Sequence, residues 1–371
     1  MKNINLIDDD IYNLFWKIAL PSSIGTVFQN LYSLVDAIFA GRMISEIALA
    51  AIGQTFPIYF IIIALGIGLS IATTSIVANS IGEKKISKAS QIFCQSLGIA
   101  IFVGIIISIF GILIGPSILE SINEDQKTLK LSSDYMNIIY LGSVIILLLM
   151  VSNSCLSALG DTKSYRNVLI FSFFLNIVLN PILISGAILG YEIFKPLGIT
   201  GIAIATILSQ FIGLLYLLYK ISKTQIYKSF SNKYLLPKFK SIAEISIQGI
   251  PASIGLMMIA LGSYILLYFV SFYGNDAIAG FASAGRYEQL LFLPLLGLST
   301  AVTSIVGQNL GARKPERVLE TYTKAIRTGV IILTIVAVFL FFSAELSMRL
   351  FTDDEDVIFY GSMYLKIWAF G

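Results

Sequence analysis

Apolar runs long enough to cross a bilayer recur down the whole chain, and no other feature constrains its fold as tightly. Ile99–Ile114 and Val144–Val151 are almost free of polar side chains, and a membrane-spanning helix needs about 20 apolar residues. Cut at polar loops, the runs fall at 14–40, 51–81, 89–118, 133–159, 165–190, 197–220, 245–273, 277–308, 318–344 and 357–371, ten in all. Several are long, so tilt and kinks at Pro21, Pro57, Pro181, Pro251 and Pro294 are expected. Only 13% of the 371 residues are charged and 56% are hydrophobic, with mean hydropathy +0.85. A soluble domain carries about 25% charged residues, so a soluble enzyme is excluded.

Histidine is absent, which removes zinc-peptidase and His-based nucleophile chemistry. The net charge of +3 is too small and scattered for a nucleic-acid partner. Cys94 and Cys155 lie inside apolar segments, without pair or metal spacing, and read as small core residues. Asp8, Asp9 and Asp10 precede a first segment too long for a cleavable signal, with no small-residue cleavage site.

Loop cations set the expected orientation. Loops after even-numbered segments hold fourteen Lys and Arg, and those after odd-numbered segments hold five. The amino terminus is therefore expected in the cytoplasm, in a multi-pass protein of the cytoplasmic membrane.

An internal repeat gives the organisation. Gly68–Gly82 aligns with Gly297–Gly311 at a constant offset of 229, with nine of fifteen positions identical. Pro21-Ser-Ser-Ile-Gly25 likewise matches Pro251-Ala-Ser-Ile-Gly255 at an offset of 230. Six segments separate the copies, so both cross in the same direction. The expected fold is an all-α integral membrane bundle of two parallel six-helix repeats, with a cavity between lobes related by an axis along the membrane normal. Its parts are an N-terminal lobe at 1–222, a basic cytoplasmic loop at 223–244 and a C-terminal lobe at 245–371. The offset of 229 carries the first lobe's end to about residue 449, so the second lobe is expected to be cut within helix ten and the chain to be a fragment.

Polar groups within the spans are costly and mark candidate sites. Ser22, Thr26, Gln29, Ser33 and Asp36 share a helical stripe and are expected to wall a water-filled cavity. In segment five, Ser172, Asn176 and Asn180 repeat every four residues, and Pro181 frees a carbonyl one turn back. These amides could glue helices together or bind an ion. Thr206 and Gln210 in segment six, with Asn153 and Ser157 in segment four, add hydroxyl and amide groups. One acid among such oxygens could coordinate a hard monovalent cation or carry a proton, so either ion is open. Arg286 and Glu288 lie deep in segment eight at a spacing that keeps them from facing each other. Structural pairing with another helix and substrate binding are equal alternatives for them.

The chain resembles the multidrug and toxic compound extrusion (MATE) family of antiporters. The residues that carry this are Gln29-Asn-Leu-Tyr-Ser-Leu-Val-Asp36-Ala-Ile-Phe-Ala-Gly41, Ala158-Leu-Gly-Asp-Thr-Lys163, Asn176-Ile-Val-Leu-Asn-Pro181, Gly201-Ile-Ala-Ile-Ala-Thr206 and Gly307-Gln-Asn-Leu-Gly-Ala312. The resemblance implies twelve helices in two lobes and export of small molecules driven by inward flow of Na+ or H+. It implies cation coupling at Asp36 and a cation site at Asp36, Asn176, Asn180 and Thr206. Asn180 departs from the many relatives that carry Asp there. Gln29, Ser33, Asn153, Arg286 and Glu288 are the expected cavity and substrate residues.

The function expected is that of an antiporter for amphipathic, cationic drugs, a monomer in the lipid bilayer that needs no cofactor beyond its coupling ion. A lipid-linked saccharide flippase would need a strongly basic cavity, and only Arg286 lies deep. An intramembrane aspartyl protease would need Asp36 and Glu288 face to face.

Overall fold

The computed structural model describes residues 4–122, 125–188, 191–350 and 352–369. The long helices are α1 (Ile11–Phe39), α2 (Glu46–Gly82), α3 (Ile86–Ile122), α4 (Gln126–Ala158), α5 (Lys163–Ser185) and α6 (Ile199–Ser222) in the first half. A short α7 (Gln225–Lys228) sits in the basic loop, followed by α8 (Phe239–Val270), α9 (Asn275–Gly311), α10 (Pro315–Arg349) and α11 (Glu355–Trp368). The ten expected segments map one to one onto the ten long helices, and residues 370 and 371 of the last lie outside the described residues. Among the described residues, eight helices are long and apolar enough to cross a membrane. α1 is not one of them, because Ser22, Ser23, Thr26, Gln29, Asn30, Ser33 and Asp36 dilute its apolar character.

The helix boundaries follow local chemistry. Asp10 caps α1 by accepting from the Asn13 N–H at 3.0 Å, and Ser45 caps α2 through the Ala48 N–H at 3.1 Å. All five expected prolines lie inside continuous helices, as does Pro116 of α3. α2, α3 and α9 each run 37 residues, roughly 55 Å, so they extend beyond a hydrocarbon core of about 30 Å. A small hairpin, β1 (Ala187–Ile188) with β2 (Tyr191–Glu192), joins α5 to α6.

The first six helices pack around cores such as Leu147, Val151, Leu156 and Leu217, and Met136, Ile139 and Ile202. α9, α10 and α11 bury Ala284, Leu340, Met348 and Leu365 between them. The two groups meet where α1 and α2 run against α8 and α9. Leu6, Ile11, Leu14 and Ile18 interlock there with Leu298, Ala301 and Ile305.

This seam is the internal repeat made visible. A Cβ on Gly68 would lie 2.0 Å from Ser253 Oγ, and one on Gly297 would lie 2.1 Å from Ser23 Oγ. Gly82 faces the Gln308 carbonyl and Gly311 the Asn79 carbonyl, each at 2.0 Å from its hypothetical Cβ. Each pair is the repeat image of the other, and only glycine permits backbones this close. Both copies also turn alike just beyond the helix: Lys84 and Arg313 take left-handed φ values of 60° and 55°.

All of these contacts lie toward the end that carries the basic loops. Polar ties between the groups cluster there too. Gln308 donates to the Ala158 carbonyl at 2.7 Å, Asn309 to the Leu6 carbonyl at 2.9 Å, and Lys314 to Asp8 at 2.7 Å. Along α8 the buried positions are Ser241, Ile245, Gly249 and Ser253, and none follows.

Candidate functional site

Asp36 stands one turn from the end of α1 and is only 4% exposed. A buried carboxylate costs several kcal/mol unless its lone pairs are filled. Two neighbouring helices fill them. Asn180 Nδ2 on α5 donates to Asp36 Oδ1 at 2.9 Å, and Thr206 Oγ1 on α6 donates to Oδ2 at 3.0 Å. Asn180 Nδ2 also donates to Asn176 Oδ1 at 3.0 Å, which makes the two amides one unit across a single turn of α5. Asn176 and Asn180 are fully buried and Thr206 is 3% exposed.

The position of this cluster corrects one expectation. Asp36 does not continue an open cavity wall but turns into the interior of the first six helices. At 100° per residue, Ser33 and Asp36 differ by about 60° around the helix. That offset leaves Ser33 exposed while Asp36 meets α5 and α6. Lower on the stripe, Ser22 Oγ donates to Thr300 Oγ1 at 3.4 Å across the seam, and Gln29 is half-buried.

Around the carboxylate lie three tyrosines and Ser209, which sequence reasoning missed. Tyr32 precedes Asp36 by one turn, and Tyr32, Tyr59 and Tyr135 all lie within electrostatic reach of it. Asn180 Oδ1 is buried without a hydrogen-bond partner, while Tyr32 meets Thr206 and Ser209, and Gln210 meets Tyr59. A carboxylate ringed by amide and hydroxyl oxygens is the donor set a hard monovalent cation uses. The i−4 spacing of Tyr32 and the i+3 and i+4 spacings of Ser209 and Gln210 from Thr206 were the available signals.

The other candidates lie elsewhere. Asn153 on α4 accepts from Ser157 Oγ at 3.2 Å and has no bond to Asp36. Ser172 donates to the Ser209 carbonyl at 3.3 Å and ties α5 to α6. Glu288 is held by Tyr364 of α11, whose hydroxyl donates to Oε2 at 2.7 Å, so its partner is a phenol rather than a charge. Arg286 is exposed and makes no ion pair among the described residues. Asp36 and Glu288 hold separate partners in separate groups, so the face-to-face acid pair of a protease is not formed.

A repeated helical membrane bundle, joined at one end along a glycine seam and with the Asp36 carboxylate enclosed among its helices, has the build of a transporter. The MatE family model matches residues 21–182 and 251–371, and the chain belongs to that family of multidrug efflux transporters. It is 26% identical over 370 residues to the probable multidrug resistance protein YpnP of Bacillus subtilis (strain 168), covering 100% of this chain and 81% of that one. It is 26% identical over 365 residues to the FAD transporter of Shewanella oneidensis, covering 98% and 79%. Among solved structures, an outward-facing multidrug resistance MATE transporter of the MOP superfamily superposes with a TM-score of 0.88. That match has 28% identity and covers 100% of this chain and 81% of the other.

Proposed function

We propose that the chain is a secondary antiporter that exports amphipathic, cationic small molecules across the cytoplasmic membrane in exchange for Na+ or H+. It works as a monomer by alternating access and performs no covalent chemistry. The cation bias of the basic loops supports a cytoplasmic amino terminus, with the glycine seam as the inner closure. One observation carries the reading: the enclosed carboxylate of Asp36 is bonded by Asn180, whose own amide oxygen is unspent.

The coupling follows from what those residues hold. With its charge uncompensated, Asp36 draws the Asn180 amide and the Thr206 hydroxyl onto its two oxygens. A cation or proton arriving there takes over part of that charge, and the pull on α5 and α6 relaxes. α1 carries the change to the seam through its lower half, where Ser22 meets Thr300. Ion and drug then drive the cycle by differing in affinity for the two conformations.

Ethidium efflux from cells expressing the chain tests the assignment. Efflux that rises with an imposed Na+ or proton gradient, and disappears in Asp36→Asn with normal membrane insertion, is the expected outcome. Unchanged efflux by Asp36→Asn would remove Asp36 from the coupling step. A second reading, an organic anion as cargo, is favoured by the relative named FAD transporter. Counterflow of FAD in membrane vesicles prepared from those cells would distinguish it.

A further inference from the structure

We propose that the basic end of the protein holds one anionic phospholipid, its headgroup on Lys233, Lys238 and Lys240 and one acyl chain in the groove between α3 and α8. The inference goes beyond the transport reading and does not depend on it.

The basic loop is pinned. Gln95 of α3, 4% exposed, donates to the carbonyls of Tyr234 and Leu236 at 2.6 and 3.0 Å, and accepts the Lys238 N–H at 2.8 Å. One turn earlier, Gln91 accepts from Lys238 Nζ at 2.9 Å and donates to Ser241 Oγ at 2.8 Å. The ammonium groups of Lys233 and Lys238 lie 5.7 and 5.8 Å from the centroid of the same Tyr234 ring. Lys240 follows on the first turn of α8 and is exposed. The acid facing this row from α8, Glu244, is 3.7 Å from Lys88, so its charge is already answered. Three ammonium groups on a held loop suit a phosphate diester.

Apolar surface adjoins them. Leu235, Leu236 and Phe239 are 66%, 68% and 86% exposed between the lysines, an arrangement that suits the boundary of headgroup and acyl chain. A groove of about 150 Å³ opens just beyond, lined by Leu65, Leu69, Ile99, Val103, Ile245 and Ile250. Ile99 and Val103 follow Gln95 at one and two turns of α3, and Ile245 follows Ser241 by one turn of α8. Both helices run away from the basic end, so the groove begins roughly 6 Å past the lysine row and lies along the membrane normal. Little of α3 is covered by protein, with 11% of its apolar span buried. Lipid is the solvent on that face, which makes an acyl chain the fitting occupant. The groove also reaches Gly249 and Ser253, which pack on Gly68 of α2. A lipid seated there touches both helix groups and favours the closed basic end.

The test uses the full chain purified from nanodiscs of phosphatidylcholine doped with phosphatidylglycerol, with native mass spectrometry reading the lipid retained. One phosphatidylglycerol retained over phosphatidylcholine is expected. Each of Lys233→Gln, Lys238→Gln and Lys240→Gln should weaken retention roughly fivefold. Ile250→Trp, which fills the groove and leaves every charge, should abolish it. A melting temperature in pure phosphatidylcholine equal to that of the parent shows that each variant folds, and Ile250→Trp alone decides the matter if the lysine variants do not. Equal retention of the two lipids, or full retention by Ile250→Trp, overturns the proposal. Displacement of the retained lipid by ethidium at micromolar concentration would reassign the groove to the drug.

Discussion

At the scale of single residues, the site rests on a few hydrogen bonds to one buried carboxylate. Thr206→Val keeps shape and removes the donor to Asp36 Oδ2. A bond to a charged group is worth about 1.5–3 kcal/mol, so the variant should melt several degrees lower in detergent and lose ion dependence. An unchanged melting curve would mean that Asp36 draws nothing from α6. Much of this cluster was legible: the four-residue spacing of Asn176 and Asn180 fixed their shared face, and a lone acid inside an apolar run demanded partners. The direction in which Asp36 points was not legible. A stripe of small polar residues on α1 looks the same whether it faces water or a neighbouring helix, and only the packing of α5 and α6 decides. Glu288 was equally ambiguous, because its partner Tyr364 is an ordinary aromatic in an apolar run.

At the scale of elements, the repeat is a closing device. Gly82→Val and Gly311→Val each push a side chain into a carbonyl that would lie 2.0 Å from the first added carbon. Overpacking of this kind costs about 1–3 kcal/mol. Spin labels on the loops after α2 and α9 should therefore move apart in either variant, and distances equal to the parent's would deny the seam its role. The acidic run before α1 supplies a second tie. The Lys314 ammonium, with help from the Asn5 amide, holds the Asp8 carboxyl below the usual carboxylate range. That preference exists above the ordinary carboxylate value and is lost as pH falls through the depressed one. The label distance should accordingly widen in acid, and Lys314→Gln should remove this part of the pH response. A response identical in Lys314→Gln would place the acid-sensitive contact elsewhere. The sequence shows Asp8, Asp9 and Asp10 as a charge run beside a membrane span, and separately shows the basic loop after α9. Their meeting, 306 residues apart, is a product of the fold alone.

At the scale of the whole molecule, the apolar runs and the repeat together were enough for the bundle, because bilayer length and repeat direction leave few arrangements. The asymmetry within it is harder to see. The two groups share the seam motifs, yet Asp36 is enclosed among α1, α5 and α6, while Leu266 stands where the repeat offset of 230 would carry it. Two groups thus close on each other along that seam, and the coupling proposed above rests on Asp36 in the first. The measurement that tests this most directly is uptake of a fluorescent cation by proteoliposomes of the purified chain, driven by an imposed Na+ or proton gradient, with Asp36→Asn in parallel. Gradient-driven uptake by the parent and none by Asp36→Asn is the result predicted. Uptake of equal rate in both, or in the parent with no gradient imposed, would contradict an antiporter coupled through Asp36.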